Sequence, residues 1–132
     1  MKSHFILFVA DQEASTAFYS FVLDTKPQLD VPGMTEFALS SESVLGLMPR
    51  AGAARLLGED VVKTSTLDPA PRSEIYLIVD DPAAFHNRAV RAGARELSSL
   101  QNRDWGHIAA YSLDVDGHVL AFAAEIDQTS PF

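Results

Sequence analysis

The chain has 132 residues and a mass of 14.4 kDa, and its 47% hydrophobic and 21% charged residues are typical of a single globular domain. Ten basic against 18 acidic residues give a formal net charge of −8, which disfavours nucleic acid and anionic membranes as partners. There is no cysteine, so disulfides, thiolate metal ligands and cysteine nucleophiles are excluded.

The first fifty residues predict one strand, one helix and three short strands. The apolar run at 5–10 is too short for a secretion signal or a membrane span, so we expect a buried strand in a cytoplasmic protein. Apolar residues at helical spacing in 11–24 predict a helix with the buried stripe Ala14, Ala17, Phe18, Phe21 and Val22. Strand-like runs separated by turn residues then predict an antiparallel meander at 28–31, 34–39 and 44–48.

The second half of the chain predicts the same order of elements. Residues 50–72 are rich in Ala, Gly, Pro and charge and predict a mobile linker with about one helical turn. A strand at 74–81 precedes a helix that begins after Asp81 and ends at Gly93. Three further strands are predicted at 95–100, 107–114 and 118–125, the last two joined by a tight turn at Asp116 and Gly117. We expect the tail, 127–132, to be frayed.

Shifting the sequence by 70 positions places 4–11 on 74–81 with apolar residues matching apolar residues. This match predicts an internal duplication of a β-α-β-β-β module. The expected fold is α+β, with one domain at 1–126 that contains module 1 at about 3–49 and module 2 at about 73–126. Two such modules are expected to form a half-open barrel of mixed sheets, whose concave face would suit a small molecule.

Each module contains a sequence motif, defined by residue types at fixed spacing, that resembles the motif of a known family. The first module has His4, Leu7, Val9, Asp11, Ser15, Phe18, Tyr19 and Leu23, and the second has Trp105, Gly106, Asp114, Asp116, Gly117 and Leu120. Together with the duplication, these motifs resemble the vicinal oxygen chelate superfamily, which includes glyoxalase I, extradiol dioxygenases, and fosfomycin and bleomycin resistance proteins. The resemblance covers residues 3 to about 125 and implies a fold that is shared by many chemistries.

The resemblance implies four metal-ligand positions, which fall at His4, Gly46, Glu74 and Ala121. Gly46 and Ala121 have no ligand atom in their side chains, so the set is degenerate and we expect neither a metal nor another cofactor. A weak divalent-metal site at His4 and Glu74 stays open as an alternative. These two candidate catalytic residues could otherwise form an ion pair or a metal-free acid/base dyad, or His4 could simply be hydrogen-bonded at the edge of its strand.

Strand alternation predicts which side chains line the concave face. The residues in phase with the four ligand positions are His4, Ile6, Phe8, Val44, Gly46, Met48, Glu74, Tyr76, Ile78, Val119, Ala121 and Ala123. Gly46 and Ala121 are expected to leave room for a ligand. Trp105, the single tryptophan, is either a packing residue or a stacking surface at the mouth of the cleft. The predicted ligand-binding set is Phe8, Gly46, Met48, Tyr76, Trp105 and Ala121.

Three histidines outside this set, His86, His107 and His118, are expected at the surface. The acidic excess is concentrated in 101–132, which has a net charge of −4, half the total. The residues concerned are Asp104, Asp114, Asp116, Glu125 and Asp127 against Arg103. If these acids surround the cleft beside Trp105 and Glu74, they would attract a cationic ligand.

The sequence therefore predicts a small-molecule-binding protein of the glyoxalase/bleomycin-resistance type, without a metal, whose apolar cleft has an acidic rim. Its ligand would be aromatic or cationic, and the resemblance implies a homodimer. One alternative is a lyase, isomerase or dioxygenase that uses His4 and Glu74, and another is a structural or regulatory dimer. Exchange of modules between protomers and closure of the 50–72 linker over the cleft are left open. There is no nucleophile-elbow or phosphate-loop motif.

Overall fold

The computed structural model describes residues 1–62 and 70–126, and the chain divides into two compact units, Met1–Ala70 and Pro71–Phe132. The boundary lies in the predicted linker, and each unit contains one β-α-β-β-β module. Residues 63–69 of the linker and the predicted tail lie outside the described residues. Within the described part of the chain, no helix is long and apolar enough to cross a membrane.

The first unit is a four-stranded mixed sheet with one long helix. Its strands have the order β1-β4-β3-β2, with β1 parallel to β4 and the other pairs antiparallel. The elements are β1 (Ser3–Val9), α1 (Gln12–Leu23), β2 (Leu29–Val31), β3 (Met34–Ala38), β4 (Ser43–Pro49), α2 (Arg50–Leu57) and α3 (Glu59–Val62).

Helix α1 begins where Asp11 accepts a hydrogen bond from the Ala14 backbone N–H at 3.0 Å, which satisfies a free donor of the first turn. Its buried stripe is one position out of phase with the predicted one and consists of Ser15, Phe18, Tyr19 and Val22. The predicted stripe was wrong at Ala14, Ala17 and Phe21, which are exposed. The buried residues follow the i, i+3, i+4, i+7 pattern, in which a small serine fits against the sheet.

One face of the first sheet packs against α1. The Tyr19 ring lies 6.5 Å from the Phe37 ring of β3. Buried residues of β1 and β4 share the face of Phe37: Leu7, Val9, Leu45 and Leu47. Because side chains alternate along a strand, the residues between them lie on the opposite face. That opposite face includes the predicted residues of module 1.

Residues 50–62 are more helical than the predicted linker with one turn. They form α2 and α3, and Ala53 of α2 is fully buried. The Arg, Ala and Leu residues of α2 have high helix propensity, and the single glycine within it, Gly52, is tolerated at modest cost.

The second unit has the same topology, with strand order β5-β8-β7-β6 and β5 parallel to β8. Its elements are β5 (Glu74–Ile78), α4 (Pro82–Arg91), β6 (Arg95–Asn102), β7 (His107–Leu113) and β8 (Val119–Glu125). Helices α1 and α4 begin 70 positions apart, as the duplication predicts. The α+β class and the two tandem modules are confirmed.

Helix α4 has the predicted boundaries and covers one face of the second sheet. Asp81 accepts a hydrogen bond from the Ala84 backbone N–H at 3.1 Å, and Gly93 has the positive φ of 112° that is common just after a helix. The Phe85 ring lies 5.1 Å from the Phe122 ring of β8, so α4 lies on the face to which Phe122 points.

The predicted surface position of His86 was wrong. This residue of α4 is only 4% exposed, and its Nε2 lies 2.7 Å from a carboxylate oxygen of Glu96 on β6. Its Nδ1 is buried without a hydrogen-bond partner in the described structure. The pattern of apolar residues could not predict this burial, because a histidine counts as polar in it.

Candidate functional site

The second unit has a sheet face opposite α4 on which the predicted residues of module 2 lie. Tyr76 of β5 and Tyr111 of β7 are both Cα partners of Ala121 in β8, so all three side chains point to the same side. Phe122 points to the other side, against α4. The register also places Glu74, Ile78, Val119 and Ala123 on the face opposite α4, as predicted.

Four aromatic side chains lie together on this face, and we call Tyr76, Trp105, His107 and Tyr111 the aromatic cluster. The Trp105 Nε1–H donates a hydrogen bond to the Tyr76 hydroxyl oxygen at 3.0 Å. The same oxygen lies 2.7 Å from His107 Nδ1, and the two rings stack with centroids 5.7 Å apart. The Tyr76 and Tyr111 rings are 6.4 Å apart. The structure therefore brings the predicted residues Tyr76 and Trp105 into direct contact.

A tight turn between β6 and β7 positions Trp105. The Gly106 backbone N–H donates to the Arg103 carbonyl at 3.4 Å, and the Arg103 N–H donates to the His107 carbonyl at 2.7 Å. Gly106 has φ 92°, a conformation that glycine adopts without steric cost, so the Trp-Gly pair suits this turn. Trp105 is 54% exposed despite its hydrogen bond, which leaves much of the indole accessible to another molecule.

Arg103 supports the cluster from the same turn. Its Nη2 donates to Ser98 Oγ at 2.9 Å and to the Ala109 carbonyl at 2.8 Å, so the side chain is fixed across β6 and β7. The guanidinium carbon lies 5.2 Å from the centre of the Tyr111 ring, within the range of a cation–π interaction. A fixed arginine over one ring restricts how Tyr111 can move.

The pKa of Tyr111 is raised above its ordinary value. Burial is the largest cause, because it disfavours the phenolate, and the negative charge of Glu74 adds to it. Tyr76 also raises this pKa, whereas the Arg103 cation lowers it. Tyr111 is therefore a neutral hydroxyl-bearing ring throughout the physiological pH range.

Gly46 does not leave the predicted room for a ligand. A Cβ added at Gly46 would lie 3.1 Å from Ile6 Cγ1 and 3.4 Å from Met34 Sδ, so these side chains already occupy that space. Ala121 is fully buried, with tyrosines on both neighbouring strands. The expectation of empty space was wrong at Gly46, where Ile6 and Met34 occupy it, and it stays a prediction at Ala121.

The residues at the four family ligand positions do not fit a metal ion. Gly46 and Ala121 have no donor atom, and the space above Gly46 is apolar. His4 Nδ1 lies 3.6 Å from a carboxylate oxygen of Glu36 on β3, a neighbour that sequence reasoning missed. In residues 1–62 and 70–126, no group of three or more His, Asp or Glu side chains could hold a metal ion.

The proposed pairing of His4 with Glu74 stays a prediction. His4 belongs to the first unit and Glu74 to the second. His4 is 39% exposed and has Glu36 beside it, and Glu74 is an exposed residue at the start of β5.

The predicted residues of the first unit share the face opposite α1. Phe8 of β1 and Met48 of β4 are Cα partners, and Gly46 pairs with both Ile6 and Glu36. Phe8 and Met48 are partly exposed, so this face is largely apolar, with the His4 and Glu36 pair as its polar part.

The acidic residues of 101–132 do not form one rim. Asp114 is 6% exposed, and its Oδ1 accepts hydrogen bonds from the Asp116 and His118 backbone N–H groups at 2.8 and 2.9 Å. This turn lies at the opposite end of β7 from Trp105. The prediction that Asp114 surrounds the site was wrong, since the carboxylate holds the hairpin turn. Asp127 lies outside the described residues.

The polar side chain of Gln12, in a groove at the start of α1, holds the β2–β3 hairpin against the helix. The lining of this groove includes Asp11, Gln12, Thr16 and Asp30. The Gln12 side chain donates to the Val31 carbonyl and Thr35 Oγ1 at 2.8 and 2.9 Å and accepts from the Gly33 N–H at 3.0 Å. These bonds tie the β2–β3 hairpin to the helix, so the amide has little left to offer a ligand.

Sequence reasoning missed three members of the site. His107 was predicted as a surface histidine, Arg103 was only counted as a charge, and Tyr111 was not singled out. The period-two pattern that placed Tyr76 and Ala121 on one face could have indicated His107 and Tyr111, because they alternate in phase along β7. The position of Arg103 depends on the turn and could not be inferred from alternation.

Comparison with solved structures shows the same fold at low sequence identity. A glyoxalase/bleomycin resistance protein/dioxygenase family enzyme from Burkholderia phytofirmans PsJN is 19% identical, with a TM-score of 0.80 over 94% of this chain and 98% of that one. A glyoxalase-related enzyme from Fulvimarina pelagi is 22% identical, with a TM-score of 0.76 over 95% and 88%. A glyoxalase/bleomycin resistance protein from Albidiferax ferrireducens T118 is 19% identical, with a TM-score of 0.69 over 93% and 98%.

Comparison with curated proteins gives no match. Comparison with protein families matches residues 3–122 to one family, and the matched range covers module 1, most of module 2 and the predicted ligand-binding set. The chain belongs to the Glyoxalase/Bleomycin resistance protein/Dioxygenase superfamily.

Proposed function

We propose that this protein binds a small planar aromatic molecule on the face of the second unit opposite α4, with Trp105 as the stacking surface. The observation that supports this most is the aromatic cluster itself. Trp105 is 54% exposed, yet its ring is held in place by the hydrogen bond to Tyr76. A fixed, exposed indole can stack on a ligand without losing much conformational freedom on binding.

The charges near the cluster favour a neutral or cationic ligand over an anionic one. Asp104 is exposed in the turn beside Trp105, and Glu125 is an exposed Cα partner of His107. Glu74 lies on the same face. The Arg103 cation lies 5.2 Å from the centre of the Tyr111 ring, and its Nε and Nη2 are engaged with β6 and β7. The acidic surroundings therefore support the predicted preference, although by fewer residues than the sequence indicated.

Metal independence is part of this proposal. It is supported by the chemistry of the four family ligand positions, two of which have no donor atom. Calorimetric titration with Zn²⁺, Mn²⁺ or Fe²⁺ is expected to show no stoichiometric binding at micromolar concentration. Tight binding of any of them would favour the alternative of a metal-dependent lyase, isomerase or dioxygenase, as would catalysis that is lost in Glu74→Gln.

We also propose that the protein acts as a homodimer in the cytoplasm. The resemblance to the family supports the dimer, and a chain without cysteine needs no disulfide to fold in a reducing compartment. Sedimentation equilibrium tests the first part, since a species of about 14.4 kDa at all concentrations would contradict it.

A thermal-shift screen of planar aromatic compounds tests the binding proposal. Compounds that bind the folded protein raise its melting temperature in a concentration-dependent way. We expect Trp105→Phe to reduce these shifts strongly. The matched control is Val90→Ala, which truncates an exposed apolar residue away from the cluster, on α4. This variant is expected to show the same shifts in melting temperature as the wild type. Equal shifts in wild type and Trp105→Phe would remove Trp105 from the site.

A further inference from the structure

The aromatic cluster contains a hydrogen-bond chain whose direction can be deduced. An indole N–H can only donate, so the Tyr76 oxygen is the acceptor in its 3.0 Å contact with Trp105 Nε1. The Tyr76 hydroxyl has one proton of its own. This oxygen lies 2.7 Å from His107 Nδ1. In that hydrogen bond, either the Tyr76 hydroxyl donates to Nδ1 or a protonated Nδ1 donates to the hydroxyl oxygen.

Only one of the two arrangements uses every polar group of the Trp105 and Tyr76 side chains. If the Tyr76 hydroxyl donates to His107 Nδ1, the phenol oxygen accepts one hydrogen bond and donates one. If His107 Nδ1 carried the proton, the oxygen would accept two hydrogen bonds and the phenol proton would have no partner among residues 1–62 and 70–126. Because a partly buried hydroxyl is more stable with its proton bonded, the chain runs from Trp105 through Tyr76 to His107.

This direction fixes the tautomer of neutral His107. Its Nδ1 is an acceptor, so its proton is on Nε2. Nε2 has no hydrogen-bond partner in the described part of the chain. The polar groups of Trp105 and Tyr76 are used within the chain, which therefore ends in one unused donor, the His107 Nε2–H.

We propose that His107 determines the specificity of the aromatic site by donating its Nε2–H to an acceptor atom of the ligand, and that Tyr76 positions it by holding this tautomer. The proposal rests on the proposed function and narrows the ligand class. The ligand is a planar aromatic molecule with a ring nitrogen or carbonyl oxygen at its edge. An aromatic hydrocarbon of the same shape would stack on Trp105 but would leave the donor unpaired.

The tautomer can be measured in the protein without a ligand. Long-range ¹H–¹⁵N NMR at about pH 8, where histidine is neutral, distinguishes a protonated from an unprotonated ring nitrogen. The His107 signals are assigned by their loss in His107→Phe, with His118→Asn as a control on the same hairpin. We expect a protonated Nε2 in the wild type and a mixture of tautomers in Tyr76→Phe. A protonated Nδ1 in the wild type would overturn the proposal.

Specificity is measured with quinoline and naphthalene, which have the same shape but differ in a ring nitrogen. The single tryptophan gives one indole N–H resonance, whose shift reports binding of each probe. Because one neutral hydrogen bond contributes about 1 kcal/mol, the ratio of quinoline to naphthalene affinity should fall about fivefold in His107→Phe, which keeps a flat ring.

The outcomes separate this proposal from the proposed function. If both probes bind and the affinity ratio is unchanged in His107→Phe, the aromatic site stands and the role of His107 is overturned. If neither probe shifts the indole resonance of the wild type, both the aromatic site and its specificity are overturned. A fall in the ratio with retained naphthalene binding supports both.

Discussion

Asp114 is a buried carboxylate whose role is to hold a turn. It is 6% exposed and accepts two backbone hydrogen bonds, from Asp116 and His118. Asp114→Ala would leave both N–H groups without this acceptor, so we expect a loss of about 1–3 kcal/mol in the free energy of unfolding. Urea denaturation measures this loss.

The matched control for that substitution is Asp104→Ala, because Asp104 is an exposed acid in the neighbouring β6–β7 turn. An exposed side chain without such bonds should change the free energy of unfolding by about 0.5 kcal/mol or less. Similar losses for the two variants would show that Asp114 contributes only its charge.

The raised pKa of Tyr111 predicts that the folded protein loses stability at alkaline pH. Its pKa is raised in the folded protein above the ordinary value of 10.0, by burial and then by Glu74. The stabilisation from the neutral phenol is fully present below pH 10.0 and is lost as the pH rises through the folded pKa, because the unfolded chain releases this proton first. Denaturation at about pH 9 and about pH 11 should show a smaller decline in Tyr111→Phe than in the wild type.

Tyrosinate absorbance gives an independent check on the same residue. The difference between the titration curves of the wild type and Tyr111→Phe isolates the Tyr111 transition. We expect its midpoint above 10.0, and a midpoint at or below that value would contradict the environment described for this ring.

At the residue scale, the sequence predicted the members of the site that follow from strand alternation. Tyr76 and Ala121 share a face as expected, and Trp105 was singled out because it is the only tryptophan. The contacts could not be predicted in the same way. The hydrogen bond from Trp105 to Tyr76 spans 29 positions in the chain and depends on the geometry of the β6–β7 turn.

At the element scale, the contact between His86 and Glu96 links α4 to β6. His86 Nδ1 already has no partner in the described structure, and Glu96 is the partner of Nε2. Glu96→Ala would leave both nitrogens of a 4% exposed ring unpaired, so we expect a loss of about 1–2 kcal/mol in the free energy of unfolding.

Glu96→Gln is the control for this link, because the amide oxygen keeps the position of the acceptor and removes the charge. We expect it to cost less than half as much as Glu96→Ala in chemical denaturation. If the two substitutions cost the same, the charge of Glu96 matters and the hydrogen bond does not.

The order of the elements could be predicted because each has a clear period and clear ends. Asp81 and Gly93 set the limits of α4, and the shift of 70 positions identified the repeat. The prediction of buried positions failed where a polar residue is buried. Ser15 and His86 are buried polar residues, and packing against a sheet, which is a tertiary effect, decides their position. The helical content of 50–62 exceeds the predicted single turn, because glycine and charge in this segment are also typical of a linker.

At the scale of the whole chain, the two modules have kept one topology and acquired different surfaces. The first has a largely apolar face with His4 beside Glu36, and the second has the aromatic cluster. In both, the last-strand position that would hold a metal ligand has a small residue with larger neighbours, Gly46 beside Ile6 and Ala121 beside Tyr76. The chain thus has the fold of the Glyoxalase/Bleomycin resistance protein/Dioxygenase superfamily, and the proposed binding of a flat molecule rests on the side chains of the second unit.

The net charge of −8 is a property of the whole molecule, and the fold distributes it differently from the prediction. Asp114 is used inside a turn, while Asp104 and Glu125 lie at the Trp105 end of the second sheet. The charge can therefore assist capture of a cationic ligand only through a few exposed groups.

The most direct test of the account is an NMR titration of the ¹⁵N-labelled protein with the tightest-binding compound of the aromatic panel. We predict saturable shifts of the single indole N–H of Trp105 and of backbone amides on β5 and β7, at Tyr76, His107 and Tyr111. An unchanged indole resonance, with saturable shifts only in the first unit or on α4, would contradict the proposal that the aromatic cluster is the ligand site.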